Sequence, residues 1–164
     1  LSPSSSRIRN VFEPLPASEV AVLWQSRFGI PEEVFSGYQF FRKAKSIWAI
    51  SDTALPRLSF ESLGMRIMNL KDQPWKPTTC ALQVFGKHAT RNLVHLDENQ
   101  ALHFLEGGTQ EIEPDLKSDS SYVEMGYVVV FYRGEVLGCG LYSHGKLVSQ
   151  IPKERRASSE QPGR

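Results

Sequence analysis

Cys80, Cys139 and the four histidines (His88, His95, His103 and His144) offer this 164-residue chain its widest range of chemistry. A cysteine attacks as the thiolate, which needs a helix N-terminus or a nearby cation. Cys139 lies between Gly138 and Gly140 in an apolar run that supplies neither, and is expected to be a small core residue. Cys80 falls near the start of an expected helix, a better field, but no base accompanies it. No histidine has another metal ligand at i,i+4. His95 and His103 flank the segment that begins at Asp97, where one surface and one half-buried ring are expected rather than a metal pair. Two cysteines cannot build a disulfide framework or a four-ligand zinc site. The chain has no GxxxxGK[ST] loop and no GxSxG elbow, and Gly107-Gly108 and Gly138-Cys139-Gly140 fall short of GxGxxG. No catalytic residue, metal or cofactor is therefore expected.

Charge says more. There are 19 basic against 18 acidic residues, a net +1 that points to no partner. Between Asp97 and Glu124, however, lie eight acids and one lysine, which leaves 18 basic and 10 acidic residues elsewhere, or +8. The cations gather at Arg42, Lys43 and Lys45, at Lys87 and Arg91, and at Lys153, Arg155 and Arg156. Each group falls at the end of an expected element. Cationic loops in such places contact phosphates without disturbing a core. The alternative is ordinary solvated surface.

The elements that must position these residues follow from periodicity. Ser18 is expected to cap a helix with Val20, Leu23, Trp24 and Phe28 on one face and Gly29 at its end. A second short helix is expected from Pro31, then strands at 38–41 and 46–50 separated by the basic bend 42–45, and a third alternating over 65–70. A helix over 77–86, a strand at 92–96 and a helix from Asp97 with a capping-box Gln100 come next. The strongest local signal is 126–149: three strands joined at Arg133-Gly134 and His144-Gly145, with Gly138 and Gly140 leaving room for a bend or a close approach.

Composition bounds the class. Hydrophobic residues at 40% and charged residues at 23% suit an ordinary folded domain. No run approaches the ~18 apolar residues of a membrane span. Residues 1–10 and 154–164 are rich in Ser, Pro and Arg and are expected to be tails. The first residues lack the apolar segment of ~7–15 residues found in a signal peptide. The initial Leu leaves open a processed start, an unusual start or a longer chain. With few cysteines, the cytoplasm is the default compartment.

Several segments carry a family resemblance. They are Lys76-Pro-Thr-Thr with 81–86, Ala89-Thr-Arg-Asn92, Leu96-Asp-Glu with Phe104-Leu-Glu-Gly107, and above all 126–138 with Gly140 and Pro152-Lys-Glu-Arg155. Residues 76–156 resemble the PUA-like RNA-binding domain that ends some Nop/Sun-family RNA cytosine-5 methyltransferases, and its stand-alone archaeal relatives. Residues 11–73 resemble the α/β module placed before such domains. The resemblance implies an α+β chain, with a small α/β module at 11–73 followed at 74–153 by a PUA-like mixed β pseudo-barrel with short helices. It further implies binding to structured RNA, tRNA or rRNA. The implied contacts are Lys76, Thr78, Lys87, Arg91, Asn92, Lys153 and Arg155. Arg133 joins them from its place at a hairpin turn, and Arg156 from its basic cluster. Those methyltransferases use cysteines in Pro-Cys contexts on an adenosylmethionine-binding fold, and this sequence has neither.

The expectation is thus a non-catalytic RNA-binding protein, accessory to a separate RNA-modifying enzyme, with no cofactor and no membrane partner. The alternative is a protein-interaction subunit of an RNA-processing or ribosome-assembly complex, and a third reading is an enzyme acting on RNA.

Overall fold

The computed structural model describes residues 12–51, 64–113 and 123–157. The first part opens with strand β1 (Glu13–Leu15) and helix α1 (Ala17–Phe28). Val20, Ala21, Trp24 and Phe28 are buried on one stripe of α1, the face its apolar spacing predicts. Pro16 occupies the N-cap and Ser18 lies in the first turn instead. The first N–H groups of a helix have no intrahelical partner, so a proline before them forfeits little. Gly29 closes the helix at a left-handed φ of 64°, its N–H bonded to Gln25 O at 2.9 Å.

Pro31 leads into a 3-10 turn, Glu32–Phe35, in place of the expected α-helix. Strands β2 (Tyr38–Lys43), β3 (Ser46–Ser51), β4 (Met65–Asn69) and β5 (Lys76–Pro77) follow. With β1 they form one sheet in sequence order, each neighbouring pair antiparallel. The alternation expected along β4 breaks because Ile47 faces Met68 while Trp48 faces Arg66, leaving Ile67 as an extra residue. This bulge turns Ile67 and Met68 inward together. Strand β5 lies beyond residue 73, yet it completes this first sheet.

Helix α2 (Thr79–Phe85) is capped by Thr78, and a 3-10 turn at Gly86–His88 leads to β6 (Leu93–Leu96). Helix α3 (Glu98–Leu105) starts with the expected capping box between Asp97 and Gln100. Strands β7 (Thr109–Glu111), β8 (Gly126–Tyr132), β9 (Glu135–Ser143) and β10 (Lys146–Ser149) complete a second sheet, ordered β6-β8-β9-β10-β7. Its β6–β8 pair is parallel and the rest are antiparallel. Arg133-Gly134 and His144-Gly145 have φ of 50° and 78° in each case, the positive pair that a tight hairpin turn requires. Gly140 admits a neighbour: a Cβ there would lie 2.5 Å from Leu147 Cδ1.

The two sheets share a core. Trp24, Phe28, Phe35, Phe40, Ile67 and Met68 of the first part pack in one cluster with Phe85, Val129, Phe131 and Cys139 of the second. Phe85 on α2 is central, its ring centroid 4.9 Å from Phe35, 5.3 Å from Tyr38 and 5.9 Å from Trp24. A smaller core under α3 joins Ala101 and Phe104 to Val128, Val130, Leu147 and Ile151. The architecture is α+β, as expected. From residue 153 the chain makes a 3-10 turn (Lys153–Arg155) and Ala157 N–H bonds Leu105 O at 2.8 Å, so 154–157 lie against the second sheet's helix. The expected tails at 1–10 and 158–164, and segment 114–122 of the acidic stretch, lie outside the described residues.

Candidate nucleic-acid interface

Four of the expected contacts gather where the start of α2 meets the end of β10. Lys76 Nζ donates to Gln150 Oε1 at 2.7 Å and stands 5.6 Å from the centre of the Tyr127 ring. Thr78 Oγ1 donates to Arg66 O at 2.7 Å and accepts from Ala81 N–H at 3.1 Å, so its hydroxyl is engaged in capping α2. Arg155 donates to Cys80 Sγ and to Gln83 Oε1, each at 3.2 Å, which lays its guanidinium across the first turns of the same helix. Lys153 is exposed in the adjoining 3-10 turn.

The other cations are spread further. Lys87 is exposed in the turn that continues α2, four residues beyond Gln83. Arg133 sits on its hairpin tip with the guanidinium 5.2 Å from the Tyr132 ring centre. Arg156 turns back on the domain, its Nε donating to Ile151 O at 3.1 Å and its side chain lying over Gly107.

Arg91 and Asn92 do something the sequence did not suggest. The end of α1 presents carbonyls that lack helical partners. Segment 90–92 supplies the donors: Thr90 and Arg91 N–H bond Phe28 O at 2.8 and 3.0 Å. Thr90 Oγ1 donates to Gly29 O at 2.9 Å and Arg91 Nη2 to Gln25 O at 2.7 Å. Asn92 is only 1% exposed; its Nδ2 donates to Arg27 O at 2.6 Å and its Oδ1 accepts from Glu124 N–H at 2.8 Å. Asn92 therefore offers no side-chain surface to a ligand, a correction to its expected place among the contacts. It holds the two parts of the chain together.

Beside this latch lies Arg27. Its Nε and Nη2 donate to Tyr127 O at 3.0 and 2.8 Å, and its Nη1 pairs with Glu124 Oε2 at 3.5 Å. Burial holds the Arg27 pKa below its ordinary value, with Glu124 opposing. Burial raises the Tyr127 phenol, helped by the charge of Asp72 and a hydrogen bond to it. Cys139 is fully buried; burial pushes its thiol up to about 12 against the pull of Lys76 and Arg27, so it is not a thiolate near neutrality. Arg27 and Tyr127 were missed in the sequence because their partners lie about a hundred residues away. Among the described residues no group of His, Cys, Asp and Glu is placed to hold a metal ion, and no helix is long and apolar enough to cross a membrane. At the α2–β10 junction the structure thus assembles the cations Lys76, Lys153 and Arg155.

Residues 91–157 match the model of the family described as the methyltransferase RsmF PUA domain. Among curated proteins, the ribosomal RNA small subunit methyltransferase F of Aeromonas salmonicida is 25% identical over 149 residues, covering 87% of this chain. The aligned stretch is 29% of that protein's length. A conserved PUA domain protein from Thermoplasma acidophilum aligns in structure with a TM-score of 0.49 and 17% identity, over 81% of this chain and 80% of its own. A hypothetical protein from Pyrococcus horikoshii aligns at 0.49 and 17%, over 90% and 89%. Over residues 91–157, the chain is thus similar to the PUA domain of the RsmF methyltransferases.

Proposed function

We propose that this chain is an RNA-binding module that holds structured RNA for a modification reaction and performs no chemistry itself. The match of residues 91–157 to the RsmF PUA domain carries this reading. It is supported by the exposed Lys153 and the Arg155 guanidinium at the α2–β10 junction, beside the Lys76–Gln150 pair. Cys139 fits a passive role, buried with its thiol pushed up to about 12. The Aeromonas relative, a small-subunit ribosomal RNA methyltransferase, makes that RNA the first ligand to test, with tRNA as the comparison, and makes methylation the reaction served. The enzyme served is a methyltransferase catalytic unit, and the compartment is the cytoplasm.

Binding to fragments of small-subunit rRNA at low salt, followed by fluorescence anisotropy, tests the reading. Affinity should fall linearly with the logarithm of salt concentration, by roughly 0.7–0.9 log unit per phosphate contact for each tenfold rise. The double variant K153E/R155E should bind at least about tenfold more weakly while melting at the wild-type temperature. Affinity no better than that of an unrelated protein of equal net charge would refute RNA binding.

A further inference from the structure

We infer that the N-terminal sheet carries a second phosphate-binding surface, a row of lysines at one end of its strands, so that bound RNA runs across both sheets. This rests on the RNA-binding reading and extends it to residues outside the matched domain. Strand register sets the row. Lys43 faces Ser46, Ser46 faces Asn69 and Asn69 faces Lys76, four residues on one line across β2, β3, β4 and β5. Three strand spacings separate the first from the last, about 14 Å.

Two turns bring further lysines to the same end. The β2–β3 turn is fixed by Ala44 at φ 53° and by Arg42 Nε, which donates to Ala44 O at 3.2 Å. Lys45 O accepts from Leu70 N–H at 2.7 Å, so this turn lies against the end of β4. The Asn69 side chain accepts from Lys71 N–H at 2.8 Å and fixes the start of the next loop. Lys45 and Lys71 are both exposed, and neither has an ion-pair partner among the described residues. Among the described residues, Asp72 takes the Tyr127 hydroxyl and Glu13 stands opposite Arg42 on the outer edge strand. Lys43 is held over the Phe12 ring at 5.0 Å.

The row does not end at the sheet. Lys76 Nζ reaches Gln150 at 2.7 Å, three residues before Lys153 in the C-terminal basic turn. Lys45, Lys71 and Lys76 therefore continue into Lys153 and Arg155 along one path. Between the lysines stand Ser46 and Asn69, small polar groups rather than exposed rings. Such a surface suits the sugar-phosphate backbone, so the contact it makes is independent of sequence. A longer RNA reaches the lysine row and a short one does not.

The test uses the whole chain and two RNA hairpins that share a loop, one stem three times the length of the other. The wild type should prefer the long stem, and K45Q/K71Q should reduce that preference about tenfold at low salt, with a shallower salt slope on the long stem. K45R/K71R, which keeps the charges, should restore it, and thermal melts of all three should coincide. Altering the stem sequence at fixed length should leave the preference unchanged. Equal long-stem preference and equal slope in wild type and K45Q/K71Q would overturn the second surface while leaving RNA binding intact. Failure of the wild type to bind either hairpin, or any rRNA fragment, would overturn both. A K45Q/K71Q chain that binds RNA as the wild type does but loses an acidic protein partner would assign the row to protein instead.

Discussion

At the scale of the residue, position 92 shows how a contact read from sequence can change its meaning. Asn92 follows two cations in a loop, which is how a phosphate contact looks in one dimension. In three dimensions its amide joins Arg27 O to Glu124 N–H across 65 and 32 residues of chain, a separation that no local pattern encodes. Asn92→Ala leaves both backbone groups without this partner in a buried site, and should cost about 2–4 kcal/mol in urea denaturation. A residue that only touched RNA would instead lose affinity at unchanged stability. Cys139 was legible, because a thiol between glycines in an apolar strand has nothing to activate it. Burial raises its pKa in the fold to about 12, above the ordinary thiol value of 9.0. The thiol stays protonated in the fold after the unfolded chain has ionised, so its contribution is complete below pH 9 and is lost as pH rises toward 12. Wild type should therefore lose stability faster than Cys139→Ala over that window, by at most about 1.4 kcal/mol per pH unit. Parallel alkaline denaturation curves for the two proteins would count against this.

At the scale of the element, signals confined to a few neighbouring residues held up well. The Asp97 capping box, the Gly29 stop and the two glycine-containing hairpin turns are all present, since each depends on atoms within about four positions. Strands β1, β5 and β7 were not legible. They are two or three residues long and exist because a neighbouring strand offers its edge, not because their own sequence has a period. The β4 bulge was hidden for the same reason, as it is set by the register with β3. Gly140 belongs to this scale. Its position on β9 is filled by Leu147 of β10 and Val130 of β8, 2.5 and 3.0 Å from where a Cβ would be. Gly140→Val should force these strands apart and cost roughly 1–3 kcal/mol, read as a lower thermal midpoint.

For the whole molecule, the sequence divides into two units more sharply than the structure does. The division at residue 73 follows the extent of the family resemblance. The packing ignores it: Phe85 sits among rings of the first part, and segment 90–92 closes the end of α1. The chain should accordingly unfold in a single urea transition with coincident fluorescence and circular dichroism curves. Residues 74–157 expressed alone would lack the partners of Phe85 and should show no cooperative transition. Net charge was the other average that misled. It sums an acidic stretch and a basic remainder of the sequence, and only strand register shows that Lys43 and Lys76 stand in line.

The closure of α1 by segment 90–92 has a kinetic consequence. It fixes the distance between the lysine row and the C-terminal basic turn before any ligand arrives. Association then needs no prior ordering of one half against the other, and the loss of conformational freedom on binding is small. Encounter should be limited by diffusion and orientation, quickened by charge at low ionic strength and slowed as salt is added, while dissociation responds to individual contacts.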